Sequence, residues 1–226
     1  AAAGCRIWGV EGSAAAVGNH SSAANRQAFL DAGPKAITIL EQNSEVQFRP
    51  YATHPDYEQQ HAGATMRGRA LEPLPFNGRA LGADLKYIRP PIPEFTIFGG
   101  MMVDRTDINH LLKLKTGGKS LVHAVKILGN YGLDRLTGQK RGTRLVMGNA
   151  LIGRFLKSIL DRGVDVLVKA NVTALHEAGG MVTGATIEQA GVTRSVSAAK
   201  AVVLAAGGFG RHATRRAEML HQPTPD

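Results

Sequence analysis

The stretch VVLAAGGFGRH, residues 202–212, is an aliphatic run that ends in Ala-Ala-Gly-Gly. This pattern predicts a buried parallel strand that ends in a tight glycine turn. Nucleotide cofactors often lie at such strand ends, because glycine lets a ligand approach the backbone. An ordinary turn between a strand and a helix is the alternative. The usual partner motif, a strand followed by Gly-x-Gly-x-x-Gly, does not occur in this sequence.

Length and composition indicate a globular protein. The 226 residues suffice for one large domain or two small ones, and the hydrophobic share of 43% allows a core. The single cysteine, Cys5, excludes a disulfide framework and is typical of a reducing compartment. Neither a signal peptide nor an apolar run of about eighteen residues is present in the sequence, so we expect a cytoplasmic protein without a membrane partner.

The formal net charge is +9 at pH 7. Lysine and arginine are scattered along the chain, and no nucleic-acid-binding motif accompanies them. The charge therefore predicts a solvated basic face, and no nucleic-acid partner is expected. Attraction of an anionic ligand remains open as an alternative.

Local patterns predict a mixed chain of helices and strands. A helix from about Ser22 to Asn43 should break at AGPKA, with Pro34 in the first turn of a second helix. Residues 46–100 are rich in proline and aromatic side chains, which indicates an extended segment that covers a site. Residues 147–163 form a clear helix with Leu151, Ile152, Phe155, Ile159 and Leu160 on its apolar face. A three-stranded meander and the strand 201–208 follow.

Few side chains are candidates for chemistry. Thr106 or Asp107 is the predicted cap of the helix that follows Asp104. His110 and His123 lie on predicted helices without a paired carboxylate, so we interpret them as core or surface histidines and expect no metal site. Tyr57 lies in the proline-rich segment, where a phenol can exchange a proton with a substrate. An aromatic anchor is the alternative role for this side chain.

Several long runs occur in a fixed order: GRALEPLPFNGRALG (68–82), RPPIPEFTIFGGMMVDRTDINHLL (89–112), RGTRLVMGNALIGRFLKSILDRGVDVLV (141–168), VTGATIE (182–188) and AVVLAAGGF (201–209). Together they resemble the FAD-dependent family of 3-ketosteroid dehydrogenases and the flavoprotein subunits of fumarate reductase and succinate dehydrogenase. The ketosteroid-dehydrogenase-like branch is the closer match. The resemblance implies an α/β (α+β) fold, namely an incomplete FAD-binding Rossmann-like domain with a helical and proline-rich insertion and a three-stranded meander.

The resemblance also implies site residues. The loop that passes the flavin corresponds to Ala3, Gly4 and Cys5, where Cys5 replaces a glycine of the family. The strand that touches adenine through its backbone corresponds to Val172. The turn near the adenosine and diphosphate corresponds to Ala205, Ala206, Gly207 and Gly208. The tyrosine at the substrate site of ketosteroid dehydrogenases corresponds to Tyr57, and Glu58 stands where that family has a second tyrosine.

We therefore expect an internal fragment of an FAD-dependent oxidoreductase that acts on a C–C bond beside a carbonyl in a steroid or carboxylic acid. Its predicted divisions are a flavin-side loop remnant (1–18), an insertion that covers the site (19–140) and part of the FAD-binding domain (141–226). The fragment should be inactive alone. The alternative is a non-enzymatic module, derived from such a flavoprotein, that self-associates as a homo-oligomer or binds anions.

Overall fold

The computed structural model describes residues 17–61, 64–67, 70–115, 117–210 and 212–220. The chain divides into two compact units, Ala1–Val166 and Leu167–Asp226. Ala3, Gly4 and Cys5 lie outside the described residues. The boundary between the two units lies after the predicted helix 147–163, which belongs to the predicted division 141–226. The division of the chain by function stays a prediction.

The described residues form α-helices, 3₁₀ helices and short and long strands in an α/β mixture. The α-helices are α1 (Ala23–Asn43), α2 (Arg105–Leu112), α3 (Gly118–Leu136), α4 (Met147–Leu160) and α5 (Ala213–Met219). The 3₁₀ helices span Gly78–Tyr87 and Pro93–Phe95. The strands are β1 (Phe48–Pro50), β2 (Leu71–Pro73), β3 (Phe76–Asn77), β4 (Thr96–Ile97), β5 (Met101–Met102), β6 (Arg144–Leu145), β7 (Ala170–Ala178), β8 (Met181–Gln189) and β9 (Val192–Ser197).

Helix α1 is continuous, and the predicted break at AGPKA is wrong. The Ser22 side chain caps the helix by accepting from the backbone N–H of Asn25, and Pro34 lies inside the helix. Proline removes one backbone donor, but the α-helix continues on both sides of it. The Pro34 carbonyl still accepts a 3.0 Å hydrogen bond from Thr38 Oγ1. A single missing bond is therefore tolerated here.

The core of the first unit lies between α4, the 3₁₀ helix Gly78–Tyr87 and the β3–β6 pair. Its buried members are Phe76, Leu81, Leu85, Ile88, Met102, Leu145, Val146, Ala150 and Leu156. Helix α4 occurs as predicted, but its most deeply buried face contains Ala150, Gly153 and Leu156 rather than the larger predicted side chains, and Ile152 is 55% exposed. A Cβ on Gly153 would lie 2.9 Å from Cδ1 of Phe76, so small residues let α4 approach the ring closely.

The proline-rich segment contains short antiparallel pairs and 3₁₀ turns. Strand β1 pairs with β2, and β4 pairs with β5. The 3₁₀ helix Gly78–Tyr87 bends at Gly82, whose φ is +53°. Among its described residues, 46–100 contains no α-helix, as expected from fixed proline φ angles and missing donors.

The second unit is built on an antiparallel sheet of order β7-β8-β9. Gly179 and Gly180, with φ of +58° and +75°, form the turn between β7 and β8. The predicted buried strand 201–208 is wrong for this structure, because these residues have no regular secondary structure. Val203 is 86% exposed. A strand requires a neighbour for its ladder, and no described strand pairs with this segment.

Candidate functional site

Tyr57 lies on the surface of the loop between β1 and β2. Its side chain is 94% exposed. The ring of His54 lies edge-on to it, with 6.1 Å between the ring centroids, and is also 5.3 Å from the ring of Tyr51. The Arg105 guanidinium lies 5.2 Å from the centroid of the Tyr51 ring. Tyr57 therefore ends a row of aromatic rings with its phenol open to solvent.

Hydrogen bonds close the loop that carries Tyr57. The backbone N–H of Asp56 donates to the Thr65 carbonyl at 3.0 Å, and the N–H of Thr65 donates to Asp56 Oδ2 at 2.8 Å. Arg105 Nη1 donates to the Thr53 carbonyl at 2.7 Å, which ties the loop to the first turn of α2. Backbone and side chain together fix the loop on both sides of the tyrosine.

A buried charge cluster anchors α2 below this loop. Asp104 caps the helix instead of the predicted Thr106 or Asp107, and it forms a capping box with Asp107. Asp107 is fully buried and accepts hydrogen bonds from the Asp104 N–H at 2.9 Å and from Arg144 Nη1 at 2.7 Å. His123 Nε2 lies 2.8 Å from Asp107 Oδ1. The interpretation that His123 has no paired carboxylate is therefore wrong.

Burial alone raises the pKa of the Asp107 carboxyl, but its partners reverse the direction. Hydrogen bonds from the Asp104 backbone and from His123, together with the positive charge of Arg144, lower the pKa below 3.8. The signal that sequence reasoning missed is the Asp-x-x-Asp spacing before an apolar helix, which is typical of a capping box. The contact with His123 joins residues on two helices, so spacing along one helix does not reveal it.

His110 also has a local partner rather than a metal environment. Its Nδ1 lies 3.1 Å from Ser120 Oγ, and its ring stacks 4.4 Å from that of His123. In the part of the chain that the structure describes, no group of three His, Cys, Asp or Glu residues is arranged to hold a metal ion.

Val172 lies on β7, which is an edge strand of the β7-β8-β9 sheet. It pairs with Ile187, and the ladder is irregular between Val172 and Ala174. Its side chain is 53% exposed. An edge strand presents backbone groups that have no partner within the sheet. This position therefore leaves backbone available for a contact outside the sheet.

The segment Ala205–Gly208 is irregular and exposed. Gly207 has a φ of +81°, a backbone conformation that favours glycine. An ideal Cβ at either Gly207 or Gly208 would meet no other atom within 4 Å. The structure assigns neither a strand nor a turn to 205–208, so the predicted glycine turn is wrong here, while the positive φ of Gly207 is present and the backbone at both glycines is open. Val172 and the segment Ala205–Gly208 belong to the second unit, whereas Tyr57 belongs to the first.

The sequence model of the protein family described as "FAD binding domain" matches residues 10–225. The chain belongs to the FAD-binding domain family. The match spans nearly the whole sequence, which confirms the predicted flavoprotein family and its cofactor, FAD. It does not favour the alternative of a non-enzymatic module.

Curated relatives of this FAD-binding domain are dehydrogenases. A 4-oxocyclohex-2-ene-1-carboxylate 5-dehydrogenase from Sinomonas cyclohexanicum is 34% identical over 182 residues, which cover 80% of this chain and 30% of the relative. A 3-oxosteroid 1-dehydrogenase from Mycolicibacterium smegmatis is 27% identical over 215 residues, which cover 92% of this chain and 37% of the relative.

A solved structure shares the fold of this FAD-binding domain. The 3-ketosteroid delta1-dehydrogenase from Sterolibacterium denitrificans, in complex with 1,4-androstadiene-3,17-dione, matches with a TM-score of 0.81 and 27% identity. The match covers 96% of this chain and 39% of that chain. The sequence thus spans between 30% and 39% of the length of these three relatives. Within the described residues, no helix is both long and apolar enough to cross a membrane.

Proposed function

We propose that this chain is part of a flavin-dependent dehydrogenase or reductase that acts on a C–C bond beside a carbonyl. The family match over residues 10–225 carries the proposal. Two relatives support it, because their names describe different ring systems that share one feature. Each name places an oxo group on the substrate and dehydrogenation at a nearby ring carbon. The proposed substrate is therefore a cyclic ketone, either a steroid or a carboxylic acid.

We assign the FAD contacts to Val172 and to Ala205, Ala206, Gly207 and Gly208 in the second unit, with Ala3, Gly4 and Cys5 beside the flavin. The free edge of β7 and the open backbone of Gly207 and Gly208 fit a flat ligand that is held through main-chain groups. When bound, FAD supplies the acceptor for a hydride. For the fold, we propose an incomplete Rossmann-like domain. We propose that the chain is divided by function into residues 1–18, 19–140 and 141–226.

We assign the proton-transfer role to Tyr57. The structure supports this role because the phenol is exposed and the loop on both sides is held by hydrogen bonds. A phenol held in this way donates a hydrogen bond to a substrate carbonyl or accepts a proton from the adjacent carbon. The His54 ring, 6.1 Å away and edge-on, is the neighbouring aromatic ring of Tyr57.

The enzymatic test uses the full-length protein that contains this chain. Reduction of an artificial dye acceptor is measured with a 3-oxosteroid and, separately, with 4-oxocyclohex-2-ene-1-carboxylate. We expect turnover with one of them, and we expect Tyr57→Phe to lower kcat by about 10²-fold or more while the flavin absorbance is unchanged. The matched control is Tyr87→Phe, another tyrosine of the proline-rich segment. An equal loss in both variants, or none in Tyr57→Phe, would refute the role of Tyr57.

A separate measurement tests cofactor retention by the 226-residue chain alone. Its visible absorbance is recorded after desalting, with and without added FAD. We expect little retained flavin, because the sequence contains no Gly-x-Gly-x-x-Gly unit to hold the diphosphate on a helix N-terminus. Stoichiometric flavin peaks that survive desalting would contradict this expectation. They would show that the residues present complete a cofactor site.

A further inference from the structure

A groove of about 780 Å³ lies in the first unit, and Tyr57, the described site residue of that unit, does not line it. We name it the Arg141 groove. The end of the 3₁₀ helix Gly78–Tyr87, the following prolines, the Gly99–Gly100 turn and residues 138–141 form its walls. This volume is within the range of sites for small organic ligands, about 300–1,000 Å³. The residues that matter most for its chemistry are Leu85, Lys86, Pro90, Gly99, Lys140 and Arg141.

The charge of the Arg141 groove is entirely positive. Lys86, Lys140 and Arg141 line it, and its lining contains no aspartate or glutamate. Among the residues that the structure describes, none of the three cations forms an ion pair. The ammonium of Lys86 lies 5.1 Å from the ring centroid of Tyr87, a contact that keeps the charge. Three cations without an ion-pair partner line one groove, and such a groove attracts anions.

Arg141 is also short of hydrogen-bond acceptors. Its Nη2 donates to the carbonyls of Leu85 at 3.0 Å and Ile88 at 2.8 Å. Its Nη1 is buried and has no acceptor among the described residues. Burial lowers the pKa of this guanidinium, in the direction expected for a charge without a compensating carboxylate. Buried donors without partners are rare in folded proteins, so a hydrogen-bond acceptor for this nitrogen is missing among the described residues.

Apolar residues and glycines make up most of the remaining lining, together with Thr96 and Gln139. Leu85, Ile88 and prolines at 90, 91 and 93 supply hydrocarbon surface. Gly82 and Gly99 have positive φ angles of +53° and +72°, and an ideal Cβ on either would meet no atom within 4 Å. A ligand can therefore lie against the backbone at these two positions.

We propose that the Arg141 groove binds an organic anion in which an apolar ring or chain carries a carboxylate or a phosphate. The oxyanion lies towards Arg141, Lys140 and Lys86, and the apolar body lies against Leu85 and the prolines. Guanidinium groups bind carboxylate and phosphate with similar geometry, so the two anions share this chemistry. The site is independent of the proposed dehydrogenase role of Tyr57.

The test is equilibrium dialysis of the full-length protein that contains this chain. The ligands are 2-naphthoate and, as a neutral probe of nearly the same shape, 2-naphthamide. We expect 2-naphthoate to bind at least about tenfold more tightly than 2-naphthamide, because only 2-naphthoate carries a charge. The double variant Lys86→Gln/Lys140→Gln should weaken 2-naphthoate binding about tenfold. Lys119→Gln/Lys126→Gln on α3 makes the same change in net charge outside the groove and should change binding less than about twofold.

Arg141 itself is left intact in this design, because it holds two backbone carbonyls and its removal could disturb the fold. Equal binding of 2-naphthoate and 2-naphthamide would overturn the proposal, as would equal weakening by the two lysine pairs. Repeating the titration with 1-naphthyl phosphate distinguishes the two oxyanions. Tighter binding of that probe, with the same dependence on Lys86 and Lys140, would assign the groove to phosphates, and weaker binding would assign it to carboxylates.

Discussion

Replacement of Asp107 by asparagine tests the buried charge cluster under α2 most directly. Asp107 Oδ2 accepts from the Asp104 N–H and from Arg144 Nη1, and Oδ1 accepts from Arg144 Nη2 at 3.2 Å and lies 2.8 Å from His123 Nε2. An asparagine has only one amide oxygen. In either orientation its NH₂ group replaces an oxygen that faces Arg144, so at least one donor loses its acceptor, and the partly buried guanidinium keeps only Asp104, at 3.6 Å, as a carboxylate partner.

The expected loss is about 1–3 kcal/mol in the free energy of unfolding, because buried donors lose an acceptor while Arg144 keeps Asp104 as a second carboxylate partner. Asp161→Asn is the matched control. Asp161 forms an exposed i,i+4 ion pair with Lys157, and such pairs contribute about 0.3–0.5 kcal/mol. Urea unfolding followed by circular dichroism compares the three proteins at neutral pH.

The same pair of variants predicts a pH dependence. The folded-state pKa of Asp107 is lowered below 3.8, so its stabilising contribution is present above that pH and is lost as the pH falls through the folded-state pKa. The difference between wild type and Asp107→Asn should therefore be full at neutral pH and shrink in strong acid. A loss at neutral pH no larger than that of Asp161→Asn would refute the structural argument for this cluster.

Two further substitutions test single contacts. In Gly184→Ala, the new Cβ would lie 2.3 Å from the Val196 carbonyl oxygen, so β8 and β9 must separate locally, at a cost of about 1–3 kcal/mol. Thermal melting should show this loss of stability. The control is Gly148→Ala, whose new Cβ enters open space and should not destabilise the protein. In Tyr131→Phe, the 2.7 Å hydrogen bond to the Phe98 carbonyl is removed, which should cost about 1 kcal/mol in urea unfolding. No change in Tyr131→Phe would mean that this contact does not hold the turn at Phe98.

Local patterns predicted the elements whose causes are local. Helix α4 was predictable because apolar residues recur at helical spacing before Gly163, whose φ is +67°. The absence of a strand at 201–208 was not predictable from local patterns. An aliphatic run indicates only that a strand would be stable if a neighbouring strand paired with it. In α1 a break was predicted that does not occur, because too much weight was given to the single donor that Pro34 lacks.

The site divides in the same way. The glycine requirement at Gly207 could be inferred from sequence, because a positive φ is a property of one residue. The environment of Tyr57 could not, because Thr65 bonds to Asp56 across the loop and Arg105 contacts the loop from α2. The pairing of His123 with Asp107 is likewise a contact between helices, and helical spacing alone misses it.

A series of contacts connects the buried cluster to the surface tyrosine. Asp107 holds the first turn of α2 through the Asp104 N–H, and Arg105 lies in that turn. Arg105 in turn bonds the Thr53 carbonyl and stacks on Tyr51, the first ring of the aromatic row that ends at Tyr57. A side chain that is almost fully exposed has few contacts of its own to set its position. The loop therefore sets where the backbone of Tyr57 lies, and the loop is held by a helix whose cap includes a buried carboxylate.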